Sequence, residues 1–100
     1  MTALLTGAEL NAAIAGLDGW TGDPTGLRRS VELRDFPTAI SVVDSVADVA
    51  QRLDHHPDID IRWRTLTFRC STHSEGGVTA YDVTLAEEID GVVDAITQPG

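Results

Sequence analysis

The chain is poor in several residue types, and each shortage narrows what it can do. It has one cysteine among 100 residues, which excludes an internal disulfide framework, so we expect a cytoplasmic protein. No apolar run reaches the ~18 residues that a membrane-spanning helix needs. Lysine is absent, and the 7 arginines face 16 acidic residues. The resulting net charge of −9 disfavours nucleic acid and anionic membranes as partners.

The remaining composition is that of a small globular protein. Hydrophobic residues make up 42% of the chain and charged residues 23%, which is typical of a folded domain. We therefore expect a single domain over residues 1–100. A chain of this length buries roughly 60–70% of the surface that its unfolded form exposes, so association of subunits would add to its stability.

Capping signals and hydrophobic periodicity predict three helices. Thr6 and Glu9 have the spacing of a capping box before the first helix, and Thr79 and Asp82 have it before the last.

The central helix has an unusually broad apolar side. Asp35 is suited to capping it, and its apolar residues between 39 and 53 span an arc of about 180°. A stripe of ~100° is enough to pack a helix on a sheet. The surplus predicts a second partner, and hence an oligomer with this helix near the interface.

Alternating apolar residues predict two hairpins. Leu27 and Val31 belong to a strand that follows the turn "TGDPTG". In "DIDIRWRTLTFRCST" the apolar residues are odd-numbered up to Trp63 and even-numbered from Leu66. Because a strand keeps one face in steps of two, this predicts a tight turn or a bulge at 62–65. The order helix–strand–strand–helix–strand–strand–helix predicts an α+β fold, a four-stranded antiparallel sheet with helices on one face.

The three histidines allow three interpretations. His55 and His56 can simply end the central helix, where positive charge is favourable, with His73 in a loop. Three imidazoles can also bind zinc, but the adjacent pair before Pro57 points to different sides and lacks the usual helical spacing. Acid–base catalysis is the third interpretation, because imidazole titrates near pH 6.5. Cys70 lies in a core-facing register and is a poor covalent nucleophile.

An ordered set of residues points to a known family. The set is His55-His56-Pro57, the aromatic Trp63, His73 within "THSEGG", and Asp82 in the last helix. It resembles the pattern of the pterin-4a-carbinolamine dehydratases, and the resemblance extends from about Leu5 to Ile96. It implies the helix and strand order given above, and dimers or tetramers.

The resemblance also implies an activity. Members of the family remove water from a 4a-hydroxytetrahydropterin to give the quinonoid dihydropterin, without a metal or an organic cofactor. The implied partner is a pterin substrate, and no nucleic acid or membrane is involved. Some members act as dimerisation cofactors or assembly factors, so the alternative is a non-catalytic oligomeric interaction module with a vestigial pterin site.

Site roles follow from the resemblance, residue by residue. His55 and His73 would form the acid–base pair, and His56 would mainly bind and orient the pterin. The predicted substrate-binding residues are Pro57, Trp63, Thr72 and Asp82. At Gln51 this chain departs from the acidic residue that family members often carry, which could orient the ring of the first histidine.

Overall fold

The structure, a computed structural model, describes residues 3–98 and confirms the predicted α+β fold. The elements are α1 Gly7–Ala15, β1 Thr21–Asp23, β2 Gly26–Glu32, α2 Phe36–Leu53, β3 Asp58–Arg62, β4 Thr65–Cys70 and α3 Ala80–Thr97. A single 3₁₀ turn, His73–Glu75, lies between β4 and α3.

The four strands form one antiparallel sheet in the order β1-β2-β4-β3. Leu27 pairs with Cys70 and Val31 pairs with Leu66, so these apolar side chains share one face. Leu27, Cys70 and Leu66 are buried in the same core cluster as residues of all three helices. The opposite face carries polar residues at alternate positions. The helices therefore cover one face of the sheet, as predicted.

The change of apolar register is explained by a two-residue turn. β3 ends at Arg62 and β4 begins at Thr65, and these two residues pair across the ladder. Trp63 occupies the first position of the turn with φ 54°, and its side chain is 72% exposed. The guanidinium of Arg64 lies 4.8 Å from the centre of the Trp63 ring. The predicted turn is confirmed.

The predicted helix caps are also present. The hydroxyl of Thr6 accepts a hydrogen bond from the Glu9 amide at 3.1 Å, and the Thr6 amide donates to the Glu9 carboxylate at 2.8 Å. Asp35 accepts from the amide of Thr38 at 2.8 Å. Hydrogen bonding to Thr38 holds the pKa of Asp35 below its usual value.

The broad apolar side of α2 has two neighbours within the same chain. Val42, Val46 and Ala50 are buried, and α2 packs against α3 as well as against the sheet. Val43 and Leu53 are half-buried. Because α3 covers part of this broad apolar side, the width of the apolar arc of α2 does not by itself require a second subunit. The oligomer stays a prediction.

A half-buried carboxylate connects α3 to the sheet. Asp90 accepts hydrogen bonds from the Trp20 indole at 2.8 Å and from the Arg29 guanidinium at 2.5 Å. Arg29 points to the face of the sheet that the helices cover, where it would otherwise be an unpaired charge. None of the helices within residues 3–98 has the length and apolar character needed to cross a membrane.

Candidate active site

The C-terminal end of α2 fixes the position of His55. The helix stops at Leu53, and Asp54 adopts a left-handed conformation with φ 51°, which reverses the chain direction. The Asp54 amide bonds to the carbonyls of Ala50 and Gln51, and the His55 amide donates to the Ala50 carbonyl at 3.1 Å. The backbone of His55 is therefore fixed, and its ring reaches α3.

The ring of His55 contacts the carboxylate of Asp82. Asp82 is 0% exposed, and its Oδ1 lies 2.6 Å from Nε2 of His55. Its Oδ2 accepts from the backbone amide of Thr79 and from the hydroxyl of Thr72, both at 2.8 Å. Asp82 is thus both the partner of the Thr79 helix cap and a hydrogen-bond acceptor for His55.

This contact determines which nitrogen of His55 is available for chemistry. A carboxylate only accepts hydrogen bonds, so Nε2 of His55 carries the hydrogen that points at Asp82. In the neutral ring, Nδ1 then keeps its lone pair and can accept a proton. In the charged ring, Nδ1 can return that proton while Asp82 stabilises the imidazolium. The arrangement is suited to reversible proton transfer at one defined atom.

An open depression lies beside the ring of His55. Its volume is about 450 Å³, within the range of small-molecule sites. The lining residues are Leu53, Asp54, His55, Thr72, Ser74 and Tyr81. We call it the His55 depression. Tyr81 is 54% exposed, and its ring centre lies 5.8 Å from that of His55.

The other two histidines do not line the His55 depression. His56 is exposed, and its Nε2 lies 3.3 Å from Oε1 of Gln51. His73 is exposed at the start of the 3₁₀ turn. Gln51 therefore contacts the second histidine, whereas we expected its position to orient the first. The group that orients His55 is Asp82, which comes from a different helix.

Two predicted binding residues occupy opposite ends of β3. Pro57 is half-buried directly before the strand, whereas Trp63 lies in the turn after it. Five residues of strand span roughly 16 Å. Of the residues predicted for the site, the structure brings together His55, Thr72 and Asp82, and it places Trp63 away from them.

Sequence patterns give no strong reason to select Asp54 or Tyr81. Asp54 matters through its positive φ, which nothing in "LDHHPDI" requires. Tyr81 lies between Thr79 and Asp82 in the predicted capping box. The sequence therefore indicates that Tyr81 is near Asp82, but it does not indicate the direction of the Tyr81 ring. Successive helical residues point about 100° apart, and the packing of α3 on the sheet decides which of them is buried.

Two further kinds of chemistry depend on where the potential metal ligands and the thiol lie. Within residues 3–98, no three His, Cys, Asp or Glu side chains form a group suited to hold a metal ion. Cys70 is buried, and desolvation, with a smaller contribution from the charge of Asp82, raises the pKa of its thiol to about 12. The protonated thiol is a weak nucleophile.

The fold and the site together define a small α+β domain that holds a carboxylate-oriented histidine beside an open depression. The family model described as pterin 4 alpha carbinolamine dehydratase matches residues 3–92. The chain belongs to this family, which confirms the resemblance.

Several bacterial proteins support the assignment. A protein of Mycobacteroides abscessus, provisionally named pterin-4-alpha-carbinolamine dehydratase, is 57% identical over 88 residues, covering 88% of this chain and 94% of its own. A relative from Nocardia farcinica with the same provisional name is 49% identical over 89 residues, covering 89% and 94% of the two chains.

Solved structures agree with the fold. A crystal structure from Brucella melitensis, described as a transcriptional coactivator/pterin dehydratase, has a TM-score of 0.85 and 34% identity, covering 88% of this chain and 96% of that one. A pterin dehydratase-like protein described as a RuBisCO assembly factor in the alpha-carboxysome has a TM-score of 0.60 at 15% identity, covering 73% and 84%. The second likeness shows the fold alone.

Proposed function

We propose that this protein catalyses the dehydration of a 4a-hydroxytetrahydropterin by histidine acid–base chemistry. Family membership supplies the substrate class. The observation that carries the proposal is the 2.6 Å contact between His55 and the buried Asp82 at the edge of the His55 depression. A histidine oriented in this way can exchange a proton with a bound substrate.

The reaction needs two proton movements and no oxidant. The hydroxyl on C4a takes up a proton and leaves as water, which breaks the C4a–O bond. The proton on N5 passes to a base, and the electron pair of the N5–H bond forms the double bond between N5 and C4a. The products are water and the quinonoid dihydropterin. An acid and a base that work near neutral pH are sufficient.

His55 fills one of these roles through Nδ1. The neutral ring accepts the proton at Nδ1, and the charged ring donates it from the same atom. In both states Asp82 contacts the other ring nitrogen, Nε2. The resemblance gives the second role to His73. The loop that carries His73 is anchored by Thr72, whose amide bonds to the Gly77 carbonyl at 2.8 Å and whose hydroxyl bonds to Asp82.

The binding roles of the remaining residues are part of this proposal. His56 follows His55 in the chain, and Nε2 of its exposed ring lies 3.3 Å from Oε1 of Gln51. Pro57 limits the backbone of His56 to an extended conformation. An amide at Gln51 cannot stabilise an imidazolium at His56 as a carboxylate would, so His56 serves in binding more than in proton transfer.

The test is the decay of freshly generated 4a-hydroxytetrahydropterin, followed by absorbance. Wild-type protein should accelerate dehydration above the uncatalysed rate. His55→Gln and His73→Ala should each lower the rate by about 10²-fold or more, as expected for removal of an acid–base group. Thermal unfolding of each variant checks that the fold is retained. Wild-type protein without acceleration would favour the interaction module instead.

A further inference from the structure

Tyr81 is an aromatic side chain left open at the proposed site. Large hydrophobic side chains that are exposed among residues 3–98 are Leu4, Phe36, Ile61, Trp63 and Tyr81. Of these, Tyr81 lines the His55 depression. An aromatic ring on the wall of a concave site is placed to contact a ligand held there.

The first turn of α3 determines the direction of this ring. Tyr81 and Asp82 are consecutive, and the Thr79 hydroxyl accepts a hydrogen bond from the Tyr81 amide at 3.3 Å. Because helical neighbours point about 100° apart, Asp82 enters the core while Tyr81 stays outside. One capped turn therefore presents the carboxylate behind His55 and the aromatic ring beside it.

The Tyr81 and His55 rings form an ordered pair. Their centres are 5.8 Å apart and their planes are inclined by 36°, within the range of favourable aromatic pairs. The phenol ring thus has a contact that limits its motion, although 54% of the residue remains accessible to a ligand.

We infer that Tyr81 is a substrate-binding residue that stacks on the flat bicyclic ring of the pteridine, and this inference rests on the proposed dehydratase function. Aromatic side chains bind planar heterocycles through their faces. Stacking on Tyr81 holds the heterocycle against the wall that also carries His55, without any proton transfer by Tyr81 itself. Tyr81 therefore contributes to substrate affinity and not to the chemical step.

The test compares the steady-state kinetics of Tyr81→Leu and Tyr81→Phe with wild type. Leucine keeps an apolar side chain but removes the aromatic face, and it should raise KM roughly tenfold while kcat changes less than about threefold, given typical stacking strengths. Phenylalanine keeps the face and should restore KM to within about twofold of wild type. Phe36→Leu is the matched control, since Phe36 is 47% exposed and lies at the opposite end of α2.

Equilibrium binding of 6-methylpterin, followed by its fluorescence, distinguishes a failure of the stacking role of Tyr81 from a failure of the proposed dehydratase function. If wild type catalyses dehydration and binds this pterin, but Tyr81→Leu has unchanged KM and affinity, the role of Tyr81 is overturned and the dehydratase stands. A fall in kcat at constant KM likewise overturns the stacking role. Wild type that neither catalyses nor binds overturns both proposals. Weaker binding in Tyr81→Leu, with Phe36→Leu unchanged, supports the inference.

Discussion

Asp82 joins three parts of the molecule at a single buried carboxylate. Its donors are the amide of Thr79 at the start of α3, the hydroxyl of Thr72 after β4, and Nε2 of His55 after α2. A buried carboxylate is tolerable because each oxygen is hydrogen-bonded. The group that orients the ring of His55 therefore also stabilises the fold.

Replacing this carboxylate should cost stability as well as activity. Asp82→Ala leaves buried donors without an acceptor, and we expect the free energy of unfolding to fall by about 1–3 kcal/mol. Glu9→Ala is the matched control, because Glu9 occupies the same capping position in α1 but is exposed. That change should cost below about 1 kcal/mol. Urea unfolding measures both, and equal losses would contradict the account.

Cys70 should dominate the alkaline behaviour of the protein. The chain has no lysine, and Cys70 is its one cysteine. Burial raises the pKa of the Cys70 thiol from 9.0 to about 12, so the folded state retains its proton where the unfolded state has lost it. The contribution of Cys70 to the free energy of unfolding is therefore fully present below pH 9, and it is lost as the pH rises toward 12.

The size of this alkaline loss can be measured by urea unfolding at successive pH values. We expect a decrease on the order of 3 kcal/mol in wild type, and a much flatter profile in Cys70→Ala, which has no thiol to ionise. Identical pH profiles for the two proteins would show that another group is responsible.

At the scale of secondary structure, the local signals in the sequence were sufficient to place most elements. The Thr6–Glu9 and Thr79–Asp82 boxes were readable because a cap and its partner are three residues apart. The change of parity between Trp63 and Leu66 was readable because side chains in a strand alternate faces. These predictions depend on neighbours in the chain, and the structure confirms them.

The turn between β3 and β4 offers a test of backbone strain. Trp63 sits at φ 54° in the first position of a two-residue loop, a position that favours glycine in tight hairpins. Trp63→Gly should therefore be more stable than Trp63→Val by about 1–2 kcal/mol, which reverses the usual preference of strands for valine. Thermal unfolding of the two variants measures the difference, and a more stable valine variant would contradict the positive φ.

At the scale of the whole molecule, the geometry of the candidate site was the part that the sequence could not predict. His55 and Asp82 are 27 positions apart and belong to different elements, so their contact depends on how α2 and α3 pack on the sheet. Gln51 is close to His55 in sequence and was the expected orienting position, yet it contacts His56. The left-handed Asp54 decides which ring faces α3, and that conformation has no clear sequence signal.

The oligomer is a proposal at this scale. Ile61 and Trp63 are large, exposed side chains outside the His55 depression, and their burial between subunits would stabilise a small domain. We expect a homodimer or homotetramer by light scattering at micromolar concentration. Because each chain carries a net charge of −9, association should strengthen as salt screens the repulsion. A monomer at all salt concentrations would contradict this expectation.

The central claim is that His55 and Asp82 act as one unit in dehydration. The most direct measurement is the dehydration rate of 4a-hydroxytetrahydropterin in a double-mutant cycle of His55→Gln and Asp82→Asn. Wild type should accelerate the reaction, and each single variant should lose much of that acceleration. The double variant should be no slower than His55→Gln alone, because Asp82 acts through the ring. A double variant whose loss is the product of the two single losses, or a wild type without acceleration, would contradict the account.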